Sequence, residues 1–169
     1  MQGCVEERTN AVSNLQRMID LAEESFKMRN DPSQISVSEE TRERLEKIHP
    51  RTLNEKRTRE GPVAWVLIFP TTRTLMQEFI RNEITEKDLL DRTPLGVTYQ
   101  SIYLCSALVL PEHRGKGLAK ALCIDAIKAI QKQHPIESLF VWAFSAEGKS
   151  LAESVARAVE LPLKERRID

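Results

Sequence analysis

An apolar run that stops at a proline, a turn with two glycines, and an amphipathic segment follow one another in Leu108-Val-Leu-Pro-Glu-His-Arg-Gly-Lys-Gly-Leu-Ala-Lys-Ala-Leu122. This order predicts a strand, a tight turn and a helix start. The first turn of a helix leaves backbone N–H groups unpaired, and its dipole favours negative charge there. Gly115 and Gly117 let the backbone approach an anion without a Cβ in the way. The arrangement suits a pyrophosphate-bearing ligand beside a central strand. A glycine turn between strand and helix is also an ordinary α/β connection, so Gly-x-Gly alone does not decide the matter.

The rest of the chain bounds the setting. At 169 residues it is long enough for a single core. Lys plus Arg equals Asp plus Glu, 25 of each. Such a balance gives no global field for nucleic acid or an anionic membrane, and neither is expected as a partner. No apolar run reaches the ~20 residues needed to span a bilayer. The N-terminus lacks the apolar core of a secretory signal. Three cysteines, Cys4, Cys105 and Cys123, are odd in number and lack metal-ligand spacing, so no metal is expected. Cys105 and Cys123 read as small core residues, and the cytoplasm is the expected compartment.

In chain order, Val12, Leu15, Ile19, Ala22 and Phe26 recur at helical spacing and predict a helix over 10–29 with these residues on one face, stopped by Asn30-Asp31-Pro32-Ser33. Ser36-Val-Ser-Glu39 predicts a capping box and a second helix that ends before His49-Pro50. Residues 51–60 are very polar, with compensating charges, and read as a solvated surface segment. Val63–Phe69 is the first strong strand, apolar on both faces and expected to be covered on both. Thr71 or Thr72 should cap a helix carrying Leu75, Met76, Phe79 and Ile80. A short helix is expected over 85–90. Tyr99–Leu110 reads as a long, bent or bulged strand. A helix over 116–133, a strand over 139–144 and a helix from Ser145 complete the pattern, with room for one short strand after it. Ser145 reads as a cap. His49 and His134 each precede a proline and have no visible ligand partners.

Residues 101–122 resemble the core motif of the GNAT superfamily, the acyl-CoA-dependent N-acyltransferases. Val109-Leu-Pro111 supplies the Val-x-Pro at the strand's end. Arg114-Gly-Lys-Gly117-Leu-Ala119 supplies the Arg-x-x-Gly-x-Gly/Ala portion. The resemblance implies a three-layer α/β/α fold with a mixed central sheet and a helical N-terminal part; the short C-terminus, with room for at most one strand where members commonly have two, departs from the family pattern. The whole chain, 1–169, would be one acyltransferase domain, with 1–60 as the helical part and 61–160 as the acyl-CoA-binding core. The resemblance further implies that the backbone of Leu108, Val109 and Leu110 pairs with the pantetheine arm of acetyl-CoA, as an added strand would. The N–H groups from Arg114 through Gly115, Lys116, Gly117 and Leu118 to Ala119 would hold the pyrophosphate, with Lys116 as a peripheral charge. The implied activity is direct transfer of acetyl from acetyl-CoA to an amine.

The chain departs from the family pattern at the catalytic end. Thr98-Tyr-Gln-Ser-Ile-Tyr103 carries no carboxylate where some members have a glutamate. No tyrosine lies on the helix after Ser145, where many members place the acid for the leaving thiolate. Glu112 and His113 are titratable but sit in the turn. The catalytic residues are therefore unassigned, and a non-catalytic CoA-binding or interaction module is the alternative. A Walker-type nucleotide site is discounted, because Gly115-Lys116 is followed by Gly117 rather than Ser or Thr. An edge strand left unpaired at the C-terminus would favour a homodimer.

Overall fold

The computed structural model describes residues 12–29, 34–36 and 38–167. Cys4 and the expected stop at 30–33 lie outside these. In chain order the elements are α1 (Asn14–Arg29), α2 (Glu39–Ile48), β1 (Leu53–Thr58), β2 (Gly61–Thr71), α3 (Arg73–Ile80), α4 (Glu86–Arg92), β3 (Ser101–Val109), a 3₁₀ turn (Pro111–His113), α5 (Leu118–Gln131), β4 (Ser138–Val141), α6 (Ala146–Val159) and β5 (Leu163–Glu165). The five strands form one mixed sheet in sequential order. β1, β2 and β3 are antiparallel, while β3, β4 and β5 are parallel.

Strand alternation explains the layers. Leu67, Phe69, Tyr103, Cys105 and Phe140 point to one face and pack with α2, α3 and α4. Val66, Ile68, Ile102, Leu104, Leu139 and Val141 point to the other and pack with α5 and α6. β2 is thus covered on both faces, as its unbroken apolar run requires. The aromatic centre of the first face is Phe79, whose ring meets those of Tyr103, Phe140 and Trp142 edge-on.

Two expectations are corrected. The polar segment 51–60 is not plain surface: residues 53–58 form β1, an antiparallel edge strand. Only Asn54 of its six residues is buried, so it lacks the apolar alternation that marks a strand in sequence. The α2 cap is Ser38, whose Oγ accepts from Thr41 N–H, not Ser36. The apolar stripe of α1 does not face the core. Met18 is fully buried against Val63 and Leu110, whereas Val12, Leu15, Ile19 and Phe26 are between 36% and 57% exposed. The expected caps at Thr72 and Ser145 are present, and Thr85 caps α4 in a capping box with Asp88.

Candidate functional site

The expected irregularity in β3 is a bulge. Leu67 pairs with Ser106, but its neighbour Ile68 pairs with Leu104, so Cys105 is an extra residue. The bulge puts Cys105 in the α2–α4 core and lets Ser106 follow on beside Leu67. It coincides with the point at which β3 leaves β4. The two strands pair over 101–104 and 138–141 only. Beyond that point, residues 105–109 keep pairing with β2, and a cleft opens on their other side.

This cleft has a volume of about 730 Å³. One wall is β3 from Leu104 to Val109, and the opposite wall is Val141–Ser145 with the start of α6. Its end is closed by the turn and first residues of α5. Pro111 begins a 3₁₀ turn, and Gly115 and Gly117 follow with φ of 78° and 72°. That left-handed region is reached by glycine at little cost, which explains both residues. A Cβ at either would meet no atom within 4 Å, so the surrounding space is open. Gly117 is the N-cap of α5. No side chain caps this helix, and its first turn carries no acidic residue. The N-terminal N–H groups therefore keep their capacity for an anion.

Among the residues expected to bind the donor, Leu108, Val109, Arg114, Gly115, Gly117, Leu118 and Ala119 line the cleft. Arg114 folds back so that its Nε donates to Val109 O at 3.1 Å. Lys116 is exposed and does not line the cleft. Leu110 is 1% exposed, its N–H donates to Val63 O, and its carbonyl accepts from His113 N–H. Both of its main-chain groups are therefore engaged within the protein.

Other lining residues were not singled out from the sequence. Lys120 stands in the first turn of α5, one residue past the motif. Leu21 and Ser25 reach the cleft from α1, and Trp142 and Phe144 from the β4 side. The lysine's place one step beyond the glycine turn was a usable signal. The α1 and Trp142 contributions depend on tertiary packing and carry no local mark. Cys123, also in the wall, has its thiol pushed up to about 12 by burial, which keeps it in the unreactive protonated form.

Glu112 and His113 lie at opposite sides of the turn's function. His113 borders the cleft. Glu112 instead accepts two hydrogen bonds from the Arg17 guanidinium, at 2.5 and 2.7 Å. Those bonds hold its carboxyl down at about 2. Tyr99 donates to Pro94 O and Tyr103 to Glu86 Oε2; neither tyrosine lines the cleft. Ser145 Oγ accepts from Gly148 N–H as a helix cap.

A second cavity, of about 680 Å³, lies between α1, residues 34–36 and the β1–β3 part of the sheet. Ser25, Leu67, Cys105, Ser106 and Leu108 belong to the walls of both cavities. The bulged part of β3 is thus the partition between them. Among the described residues no cluster of three or more His, Cys, Asp or Glu is placed to hold a metal, and no helix is long and apolar enough to cross a membrane.

A solved structure of ribosomal-protein-alanine N-acetyltransferase from Brucella melitensis biovar Abortus 2308 is similar at 18% identity with a TM-score of 0.37. That similarity covers 59% of this chain and 57% of the other. No curated protein matches the sequence. A model of the acetyltransferase (GNAT) family matches residues 15–152, which include nearly all of α1, the bulged strand, the glycine turn and the first half of α6. The chain belongs to the acetyltransferase (GNAT) family.

Proposed function

We propose that this protein is an N-acetyltransferase that moves an acetyl group from acetyl-CoA directly to an amine, and that residues 1–169 act as one acyltransferase domain. Members of the family use acetyl-CoA as the acyl donor. The observation that carries the reading is the uncapped start of α5, with two left-handed glycines before it, at the end of a cleft bounded by an unpaired strand edge. The donor has three matching parts. Its pyrophosphate suits the N–H groups between Arg114 and Ala119, helped by the positive charges of Arg114 and Lys120. Its extended arm suits the edge of β3 at Leu108 and Val109, beyond the last residue of β3 that pairs with β4. Its thioester supplies the activated acyl carbon.

In this reading Leu110 contributes packing, because its main chain is already engaged, and Lys116 contributes only long-range charge. The protein's part in the chemistry is to hold donor and acceptor together and exclude water. Such positioning alone contributes several kcal/mol in comparable reactions, on the order of 7–11. The acceptor amine must lose its proton before attack, and the outgoing thiolate must gain one. No carboxylate stands beside the bulge in the cleft wall, where Glu147 at the start of α6 is the carboxylate present. The cytoplasm fits two buried cysteines, Cys105 and Cys123.

Titration calorimetry with acetyl-CoA, followed by thiol release with a panel of amines, tests the proposal. Binding with turnover supports it. No binding at millimolar acetyl-CoA overturns the donor assignment. Binding without turnover on any amine favours a CoA-binding module without catalysis.

A further inference from the structure

We infer that the cavity beneath α1 takes the acceptor, and that the acceptor is a small primary amine on an apolar or aromatic body, its ammonium group held by Glu55. This inference rests on the reading of the β3–β4 cleft as the donor site.

Position comes first. The cavity's volume of about 680 Å³ lies within the range of small-molecule sites. It shares Leu67, Cys105, Ser106 and Leu108 with the donor cleft, so ligands in the two would be separated by little more than the bulge. Direct transfer needs this adjacency.

The walls then define the ligand. Leu15, Ile19 and Phe26 of α1 are 51%, 36% and 41% exposed, and Leu53 of β1 is 36% exposed; all four line this cavity. An amphipathic helix normally turns its apolar stripe to the core. Here the stripe faces the cavity, and an apolar ligand is what would cover it. The charged residues in the walls are Glu23 and Glu55 against Lys27 and Arg42. Two carboxylates matched by two cations give no excess negative charge for a polyamine or an aminoglycoside. Glu23 and Lys27 are four residues apart on α1, so they compensate one another locally.

Glu55 is the carboxylate with a fixed place. It stands opposite Trp65 in the β1–β2 register, and Trp65 stands opposite Leu108 of β3. Its Oε1 accepts from Trp65 Nε1 at 2.8 Å and its Oε2 from Arg57 Nη1 at 3.1 Å. Each carboxylate oxygen keeps a lone pair for a further donor. An ammonium group at Glu55 would leave the ligand's body against the half-buried Trp65 and the α1 stripe. The tryptophan both orients the carboxylate and offers an aromatic surface.

The test uses the full chain and measures each half separately. Calorimetry gives acetyl-CoA affinity alone and 2-phenylethylamine affinity alone. Thiol release with acetyl-CoA then compares 2-phenylethylamine, hexylamine, spermidine and a short peptide with a free N-terminus. The two apolar amines should give the highest kcat/KM. Glu55→Gln should raise the KM for 2-phenylethylamine at least about tenfold, the usual scale for losing a hydrogen bond to a charged group. Acetyl-CoA affinity should be unchanged in that variant, which also reports that it is folded. Phe26→Ala, at an exposed position, should weaken 2-phenylethylamine binding and leave spermidine binding as it was. Acetyl-CoA binding with no saturable amine would overturn the acceptor assignment and leave the donor assignment standing. Preference for spermidine or the peptide, or an unchanged KM in Glu55→Gln, would overturn it as well. Absence of acetyl-CoA binding would overturn the donor assignment, while amine calorimetry would still decide the role of Glu55.

Discussion

Arg17 and Glu112 join the first helix to the turn ahead of α5. Both guanidinium Nη atoms donate to the two carboxylate oxygens, at 2.5 and 2.7 Å, across 95 residues of sequence. The same helix contributes Leu21 and Ser25 to one cavity and its apolar stripe to the other. Arg17 therefore anchors the element that roofs one side of the site to the element that closes its end.

The pair is solvent-exposed, so its effect should be local order rather than global stability. Glu112→Gln is expected to speed backbone hydrogen exchange in residues 14–29 and leave exchange in α5 unchanged. The pH dependence follows from the depressed carboxyl. Glu112 titrates near 2 when folded, against an ordinary value of 4.5. Its contribution is complete above about pH 4.5 and is lost as pH falls through the folded value. Exchange in α1 that is equally slow in wild type and Glu112→Gln at pH 7 would show that the pair anchors nothing.

Gly117 separates backbone strain from charge. Its φ of 72° makes any other residue there strained, at about 1–3 kcal/mol. Gly117→Ala and Gly117→Glu share that strain, but glutamate alone adds bulk and a negative charge at the start of α5. Calorimetry should show acetyl-CoA bound by Gly117→Ala with an affinity loss no greater than the strain, which is tenfold per ~1.4 kcal/mol. Gly117→Glu should show none at millimolar concentration. Equal binding by the two variants would remove the pyrophosphate from this helix start.

The proposed donor end was readable in the sequence because its determinants are local. A strand end, two glycines and an uncapped helix start are set by neighbouring residues, so Val109, Pro111, Arg114 and Gly117 announce them in order. The sheet's central strands were equally plain, because β2 and β3 are apolar runs bounded by turn residues. β1 was not, since an edge strand that is almost wholly exposed carries no alternation. What the α1 stripe meets was not legible for a related reason. Periodicity reveals that a helix has an apolar face, but what that face meets is a tertiary fact, and here it meets a cavity. The acceptor side depends on such long-range placement: Glu55 lies on the strand that escaped notice, and Ser25 on a helix 80 residues before the bulge.

His49 and His134 make the fold sensitive to mild acid. His49 Nδ1 accepts from Arg51 N–H, and its Nε2 is 2.7 Å from Gln133 Oε1, so the neutral ring with hydrogen on Nε2 fits both partners. His134 Nδ1 accepts from Tyr99 N–H, and the two rings lie 6.2 Å apart. Burial lowers both from the ordinary 6.5. Gln133 partly offsets this for His49, while His49 itself adds to it for His134. Below pH 6.5 the unfolded chain takes up protons that the folded rings refuse. This part of the stability is full above pH 6.5 and is lost as pH falls through it toward the folded values. Urea midpoints should therefore drop between pH 7 and 5. The drop should be shallower in a His49→Gln, His134→Gln double variant, and an equal slope in the two proteins would assign the effect to other groups.

Tyr103 holds the core together and should be dispensable for chemistry. It is fully buried, its ring stacks on Phe140 and meets Phe69 and Phe79, and its hydroxyl donates to Glu86 Oε2. Glu86 is 1% exposed and accepts a second bond from Ile35 N–H. Tyr103→Phe preserves the ring packing and removes a donor from a buried carboxylate, a loss that costs about 1–3 kcal/mol. A urea titration should report that destabilisation. Thiol release from acetyl-CoA should keep its kcat, because Tyr103 lines neither cavity. A variant of undiminished stability whose kcat fell tenfold would make Tyr103 the acid for the leaving thiolate and move the reacting centre to the α4 side of β3.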